Sequence, residues 1–199
     1  MDRQIIRIDQ ISNEKWLNLY KIIYKSGDYI FTSRKDKKDL VALTSVSFPD
    51  AVRVLPFLIK NDKTYVVFIK EFRNPLNKYI YALPAGLIDN KENPTVAAER
   101  ELAEEIGATT KTIEPISNCL YTTAGMSDES IMLFQAEVIL NQPQHLEETE
   151  DITIKLVELS KIPEFLKNND FCMCSYLMAK EFYYENINNR ICTKKRKRG

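Results

Sequence analysis

The chain has one histidine and four cysteines among its 199 residues. With His145 as the only imidazole, neither a histidine-based triad nor a multi-histidine metal site is expected. Four cysteines in a chain of this length do not make a disulfide scaffold, and reduced thiols fit better. Cys172 and Cys174 have no second pair at zinc spacing, so they read as ordinary buried thiols. No long hydrophobic run is present either. Runs such as Val54 to Ile59 fall far short of the roughly 18 residues of a membrane span. Met1-Asp2-Arg3-Gln4 leads into mixed charge without the apolar core of a secretory signal, so a cytoplasmic chain with no membrane partner is expected. Neither an internal repeat nor a Gly-X-Y period is visible. What remains, 44% hydrophobic and 28% charged residues, suits one well-filled globular domain with a small appendage.

Net charge is absent overall but unevenly spread. The 28 basic residues balance 28 acidic ones, yet five basic residues fall in the last six positions, from Lys194 to Arg198. Without them, 23 basic residues face 28 acidic ones. An acidic body is a poor partner for duplex nucleic acid, so none is expected. The run 191–199 reads as a solvated, disordered basic tail.

Along the first 48 residues, Leu17 to Tyr24 and Asp28 to Thr32 are rich in Tyr, Ile and Phe. Gly27 and the polar stretch Ser33 to Asp39 interrupt them, which predicts a small antiparallel β unit over 1–48, with Trp16 packed in it. Such a unit is too small to be stable alone. The segment 49–190 reads as one further domain. Within it, strands are expected at Ala51–Ile59 and Thr64–Phe72, joined by Asn61-Asp62-Lys63. Others are expected at Ile131–Leu140 and Ile152–Leu159, with a helix over Ser175–Ile187. The clearest helix spans Pro94 to Ile106. Asn93 suits the N-cap, Pro94 the first turn and Gly107 the position past the end. Ala98, Leu102 and Ile106 form its apolar stripe. Strands and helices in this order imply an α/β domain with a mixed sheet.

On the same helix, Glu101, Glu104 and Glu105 fall within about a 100° arc beside the stripe. Like charges so spaced cost a helix about 0.2–0.5 kcal/mol per pair. Arg100 neutralises them only in part. The remaining oxygens suit a hard divalent cation, Mg²⁺ first. Ala97, one turn earlier, leaves room on that face. Taken alone, the same cluster also describes a solvated acidic surface.

The surrounding spacing decides between them. Gly86, five residues, Glu92, seven residues and then Arg100-Glu101-Leu102-Ala103-Glu104-Glu105-Ile106-Gly107-Ala108 match the Nudix box at every position. Seven fixed residue types at roughly 7% usage each make a chance match a rare event. The chain therefore resembles a Nudix hydrolase from about Ala51 to Leu159. The resemblance implies an α/β/α sandwich with a mixed β-sheet, preceded by the small N-terminal antiparallel β unit. It also implies hydrolysis of a nucleoside diphosphate linked to another group, with Mg²⁺ or substituting Mn²⁺. By resemblance Glu101, Glu104 and Glu105 are metal ligands, joined by the Ala85 carbonyl next to a tight turn at Gly86. Arg100 would orient the glutamates, and Glu92 would secure the junction of loop and helix.

The flanking segments Glu71-Phe72-Arg73, Leu83 to Asp89 and Thr123 to Glu129 resemble the ADP-ribose pyrophosphatase branch. That branch implies a substrate of the nucleoside diphosphate sugar class, cleaved to AMP and a sugar phosphate. It places Arg73 on the diphosphate and Glu129 near the terminal ribose. It also implies a catalytic base on the acidic loop Leu146 to Asp151, with Glu148 first and Glu150 in reserve. Tyr29 would stack on the base, and the N-terminal unit would form a homodimer. Where the branch carries a proline, this chain has Ala124, which leaves GDP-mannose or another sugar nucleotide as an alternative. A Nudix-fold sensor or RNA-binding module is the non-enzymatic alternative, and such proteins usually lose the carboxylates this chain retains.

Overall fold

The computed structural model describes residues 4–46, 48–89, 92–148 and 150–196, with side chains to residue 188. The end of the expected basic tail, 197–199, lies outside the described residues. The chain divides into two compact units, Met1–Ala51 with Ser117–Met132 and Val52–Ile116 with Leu133–Gly199.

In the first unit, β1 (Ile5–Gln10), β2 (Asn18–Tyr24) and β3 (Gly27–Ser33) form an antiparallel sheet in that order. Period-two alternation sends Tyr20 and Ile22 of β2 inward, where they join Ile8, Phe31 and Leu40. Full burial of such side chains contributes about 1.5–3 kcal/mol each, which gives the small sheet a core. The Tyr20 hydroxyl ends that core by donating to the Lys35 carbonyl at 2.9 Å. Two elements beyond the expected strands appear, β1 and the single-turn α1 (Val41–Thr44). Trp16 corrects an expectation. It is 64% exposed and carries the Lys15 ammonium 4.3 Å above its ring. Two adjacent amphipathic side chains can cover each other in this way without a buried site.

The larger sheet begins with the hairpin β4 (Ala51–Lys60) and β5 (Lys63–Arg73). Asn61 and Asp62 both adopt left-handed backbone angles, φ 50° and 58°, the geometry of the two-residue turn that matches strand twist. β6 (Lys78–Ala82), β7 (Ala85–Leu87), α2 (Pro94–Ile106) and β8 (Ala108–Pro115) follow. Then come β9 (Leu120–Tyr121), β10 (Ser130–Leu140), β11 (Ile152–Glu158), α3 (Ile162–Asn168) and α4 (Met173–Arg196). The sheet order is β11-β5-β4-β10-β8, with β6 paired to β5, β7 to β4 and β9 to β10.

Alternation along β5 shows how this mixed sheet is covered. Val66 and Phe68 face a core that includes Leu55, Ile162, Leu166, Met178 and Phe182, so α3 and α4 lie on that side. Val67 and Ile69 point the other way and are buried as well, so both faces are dry. Phe165 of α3 bridges Phe68 and Phe171 at ring separations of 5.2 and 5.5 Å. In α2 the stripe Ala98, Leu102 and Ile106 is wholly buried.

Candidate active site

The site is organised by α2, whose ends are set locally. The Asn93 side chain accepts from Thr95 N–H at 2.8 Å. At the other end Gly107 takes φ 60° and donates to the Ala103 and Leu102 carbonyls. A Cβ on Gly107 would lie 2.1 Å from the Gln142 carbonyl oxygen, so only glycine fits there. These caps hold the carboxylate face of α2 in a single rotational setting.

Glu101 and Glu105 are 6% and 3% exposed, whereas the Glu104 side chain reaches solvent. Burial pushes the Glu101 carboxyl up to about 7 despite the charge and hydrogen bond of Arg100, and Glu104 and Glu150 add repulsion. Glu105 is held well above the ordinary carboxylate value, first by burial and then by the charge of Glu101. A hydrogen bond from Ala85 N–H to its Oε2 at 3.1 Å acts against this. Two acids this buried, one turn apart, lack a full complement of positive charge.

The cation present is Arg100. Its five N–H groups bind Glu92 twice at 3.1–3.2 Å, Glu101 at 2.7 Å, Glu104 at 3.0 Å and the Leu87 carbonyl at 2.9 Å. One guanidinium thus joins the loop before α2 to two carboxylates on it. The hydrogen bond from Arg100 holds Glu92 below the ordinary value, partly offset by burial.

Gly86 departs from the expected reason for a glycine. Its φ is not left-handed, and it lies within β7. A Cβ there would fall 1.9 Å from Glu101 Oε1. The glycine is required because a carboxylate packs against bare backbone beside Ala85.

Glu71 joins this group without having been singled out. It sits on β5, partly buried, and pairs with Arg73 at 2.7 Å. Burial raises its carboxyl, Arg73 and Arg53 lower it, and Glu150 raises it; its own charge in turn acts on Glu105. The signal was present in the motif. In Glu71-Phe72-Arg73 the outer residues are two apart on a strand and share a face.

In the acidic loop, Glu148 is exposed, while Glu150 is half-buried and accepts the Glu147 N–H at 3.0 Å. The charge of Glu150 reaches Glu71, Glu101 and Glu105. Tyr29 and Glu129 belong to the other unit. There the Tyr29 hydroxyl donates to the Gly125 carbonyl. Glu129 accepts from Arg34 and from the Thr122 hydroxyl, each at 3.0 Å.

The donor set on α2 fits a hard divalent ion. It consists of oxygens, two of its three carboxyl groups are buried, and Arg100 balances its negative charge only in part. Among the described residues no three His, Cys, Asp or Glu side chains already converge as a closed cage.

A NUDIX domain model matches residues 48–173. The chain is 33% identical to an ADP-ribose pyrophosphatase of Bacillus subtilis, covering 85% of this chain and 86% of that one. It is 31% identical to an ADP-ribose pyrophosphatase of Saccharomyces cerevisiae, covering 79% and 70%. A putative nudix hydrolase 2 of Caenorhabditis elegans is 30% identical, covering 84% and 77%. The crystal structure of an ADP compounds hydrolase superposes with a TM-score of 0.68 over 94% of this chain and 95% of that one. At 16% identity that superposition speaks for the fold. With the box running from Gly86 in β7 through Glu92 to the carboxylates of α2, this chain belongs to the Nudix hydrolase family and is similar to its ADP-ribose pyrophosphatases.

Proposed function

We propose that the chain is a Mg²⁺-dependent pyrophosphohydrolase that cleaves ADP-ribose, or a closely similar nucleoside diphosphate sugar, to AMP and a sugar phosphate. The observation that carries this reading is the buried, under-neutralised pair Glu101 and Glu105 beside Ala85. It is joined by similarity to ADP-ribose pyrophosphatases over most of the chain. Glu101, Glu105 and the Ala85 carbonyl would hold the ion, with Glu104 at its more exposed side and Mn²⁺ as a substitute. When bound, the ion supplies positive charge to the diphosphate and makes a coordinated water more acidic. Arg100 keeps Glu101 and Glu104 in register with the loop that carries Ala85. Arg73 would leave Glu71 to grip diphosphate oxygens, for which its planar fork is suited.

The acidic loop would supply the general base that takes a proton from the attacking water. Glu150 is favoured over Glu148 because its charge reaches the α2 carboxylates. In the first unit, a cavity of about 340 Å³ lined by Tyr24, Tyr29, Phe31, Tyr121, Ser127 and Asp128 is aromatic enough to suit a nucleobase. Ala124 lines it too, which keeps GDP-mannose as the competing substrate. Glu129 is assigned to the terminal ribose. Ile6, Leu19 and Ile30 leave apolar surface exposed on the three-stranded sheet, which supports a homodimer and is checked by light scattering on the eluted protein.

The deciding experiment is product analysis with Mg²⁺ and a panel of ADP-ribose, ADP-glucose, GDP-mannose, NADH and 8-oxo-dGTP. AMP released fastest from ADP-ribose is expected. Preference for GDP-mannose would overturn the substrate, and no cleavage would overturn the hydrolase reading. Glu101→Gln and Glu105→Gln should each abolish turnover; full activity in both would refute the metal assignment.

A further inference from the structure

Leu83 and Pro84 carry the chain from β6, which pairs with β5, to β7, which pairs with β4. A backbone group left unpaired in a dry interior costs about as much as a lost hydrogen bond, and Leu83 is fully buried. Each polar group on the crossing has a partner nevertheless. Pro84 has no N–H, and its carbonyl accepts Val54 N–H at 2.9 Å. Leu83 N–H donates to Ser175 Oγ at 2.9 Å, and the Leu83 carbonyl takes a long contact of 3.5 Å from Arg53 Nη1.

Both side chains that hold Leu83 come from distant parts of the chain. Ser175 lies fully buried in the first turn of α4, where a serine adds little to the helix and costs free energy to bury unless its hydroxyl is bonded. Its two acceptor positions are filled, by Leu83 N–H and by Arg53 Nη1 at 2.6 Å. Arg53 precedes Val54 on β4, so two adjacent residues of one strand and one serine of α4 grip the same two-residue crossing. The Leu83 side chain adds to the grip. It packs in one core with Met178 and Ala179, which lie three and four residues beyond Ser175 on the same face of α4.

The crossing leads straight into the acidic site. Ala85 N–H is seated on Glu105 at 3.1 Å, and Gly86 lies so near Glu101 that a Cβ would fall 1.9 Å from its Oε1. A small movement of Leu83 and Pro84 would carry both residues away from the acids of α2. We propose that Ser175, braced by Arg53, is a positioning residue of the metal site, holding the crossing so that Ala85 and Gly86 stay seated against Glu105 and Glu101. This role rests on the assignment of the ion to Glu101, Glu105 and the Ala85 carbonyl. Neither Ser175 nor Arg53 is given a contact with ion or substrate; each acts through the backbone it holds. Hydrogen bonds that support a metal ligand in this way are worth about 10–100-fold in metal affinity.

The test measures Mn²⁺ binding to the full chain without substrate, from the electron paramagnetic resonance signal of the free ion, beside kcat and KM. Ser175→Ala should weaken binding by about tenfold or more and lower kcat with KM for substrate nearly unchanged. In the metal-free chain, exchange of the Ala85 amide, followed by NMR, should quicken. Arg53→Met should move all of these in the same direction, and Arg53→Lys, which keeps a donor, should bind Mn²⁺ more nearly as the parent does. The Arg53 pair decides the matter if Ser175→Ala does not fold. Leu166→Ala removes apolar atoms from the same core and none of the hydrogen bonds of the crossing, so it should lower Tm and leave Mn²⁺ affinity at the parent value.

Glu105→Gln separates this role from the metal assignment beneath it. If Glu105→Gln loses Mn²⁺ while folded Ser175→Ala and Arg53→Met bind it as tightly as the parent, the positioning role is overturned and the metal assignment stands. If Glu105→Gln binds Mn²⁺ like the parent, both are overturned. An equal loss of affinity in Leu166→Ala would also overturn the role, because general loosening of the core would then account for the effect.

Discussion

In metal-free protein, ionising Glu101 should cost stability, and the cost should depend on pH in an unusual direction. Its carboxyl is pushed from an ordinary 4.5 up to about 7, with burial as the largest cause. The folded chain therefore holds a proton through a range where the unfolded chain has lost it. Stability is fully present below about pH 4.5, falls as pH rises, and levels off above about pH 7. At 1.36 kcal/mol per pKa unit the difference amounts to about 3 kcal/mol. The Glu101 side chain is only 8% exposed, so solvent screening takes little from that figure. Glu105 shifts in the same direction, and Glu92, held low by Arg100, acts only below the carboxylate range.

For a chain of this size each kcal/mol moves Tm by about 2–4 °C, so the expected fall is roughly 6–12 °C. Thermal melts in EDTA from about pH 5 to about pH 8 measure it. Saturating Mg²⁺ should raise Tm more at the upper end than at the lower end, because the ion binds the ionised pair. Glu101→Gln should flatten the EDTA profile and reduce the Mg²⁺ effect. An EDTA profile that is flat or rises with pH would refute the reasoning. So would Mg²⁺ that protects Glu101→Gln as strongly as the parent.

Other outcomes follow from the same geometry. In Gly86→Ala the new methyl meets only the flexible end of Glu101, so the chain should fold with near-parent Tm yet lose about 100-fold in kcat. A variant that is active and displaces nothing would contradict the close packing. Gly107→Ala meets backbone in place of a side chain, and the left-handed φ alone costs about 1–2 kcal/mol, so urea unfolding should show at least that loss. Glu150→Gln should lower kcat by about 10²–10⁴-fold and Glu148→Gln by much less, with KM for substrate little changed. The reverse order would move the base to Glu148.

The comparison of sequence with structure turns on how far each interaction reaches along the chain. The α2 boundaries were legible because their causes lie within a few residues, in the Asn93 cap, Pro94 and the left-handed Gly107. The Asn61-Asp62 hairpin was legible for the same reason. Carboxylate spacing on a helix needs only 3.6 residues per turn, so Glu101, Glu104 and Glu105 could be read directly. β1 and α3 were not read. β1 is held by register with β2, and α3 is a seven-residue helix made stable by packing against Phe68 and Tyr81.

Sequence alone therefore determined the family, the fold class and the helix that carries the acidic groups. Tertiary structure decided which of those acids are buried, why position 86 is glycine and that Glu71 joins them. It also brought Arg53 to Ser175 across 122 residues of chain. Local hydrogen bonds and steric limits act within a turn or two, and their pattern is written in adjacent letters. Burial and charge balance depend on which distant segments close on one another, and no window of sequence contains both partners.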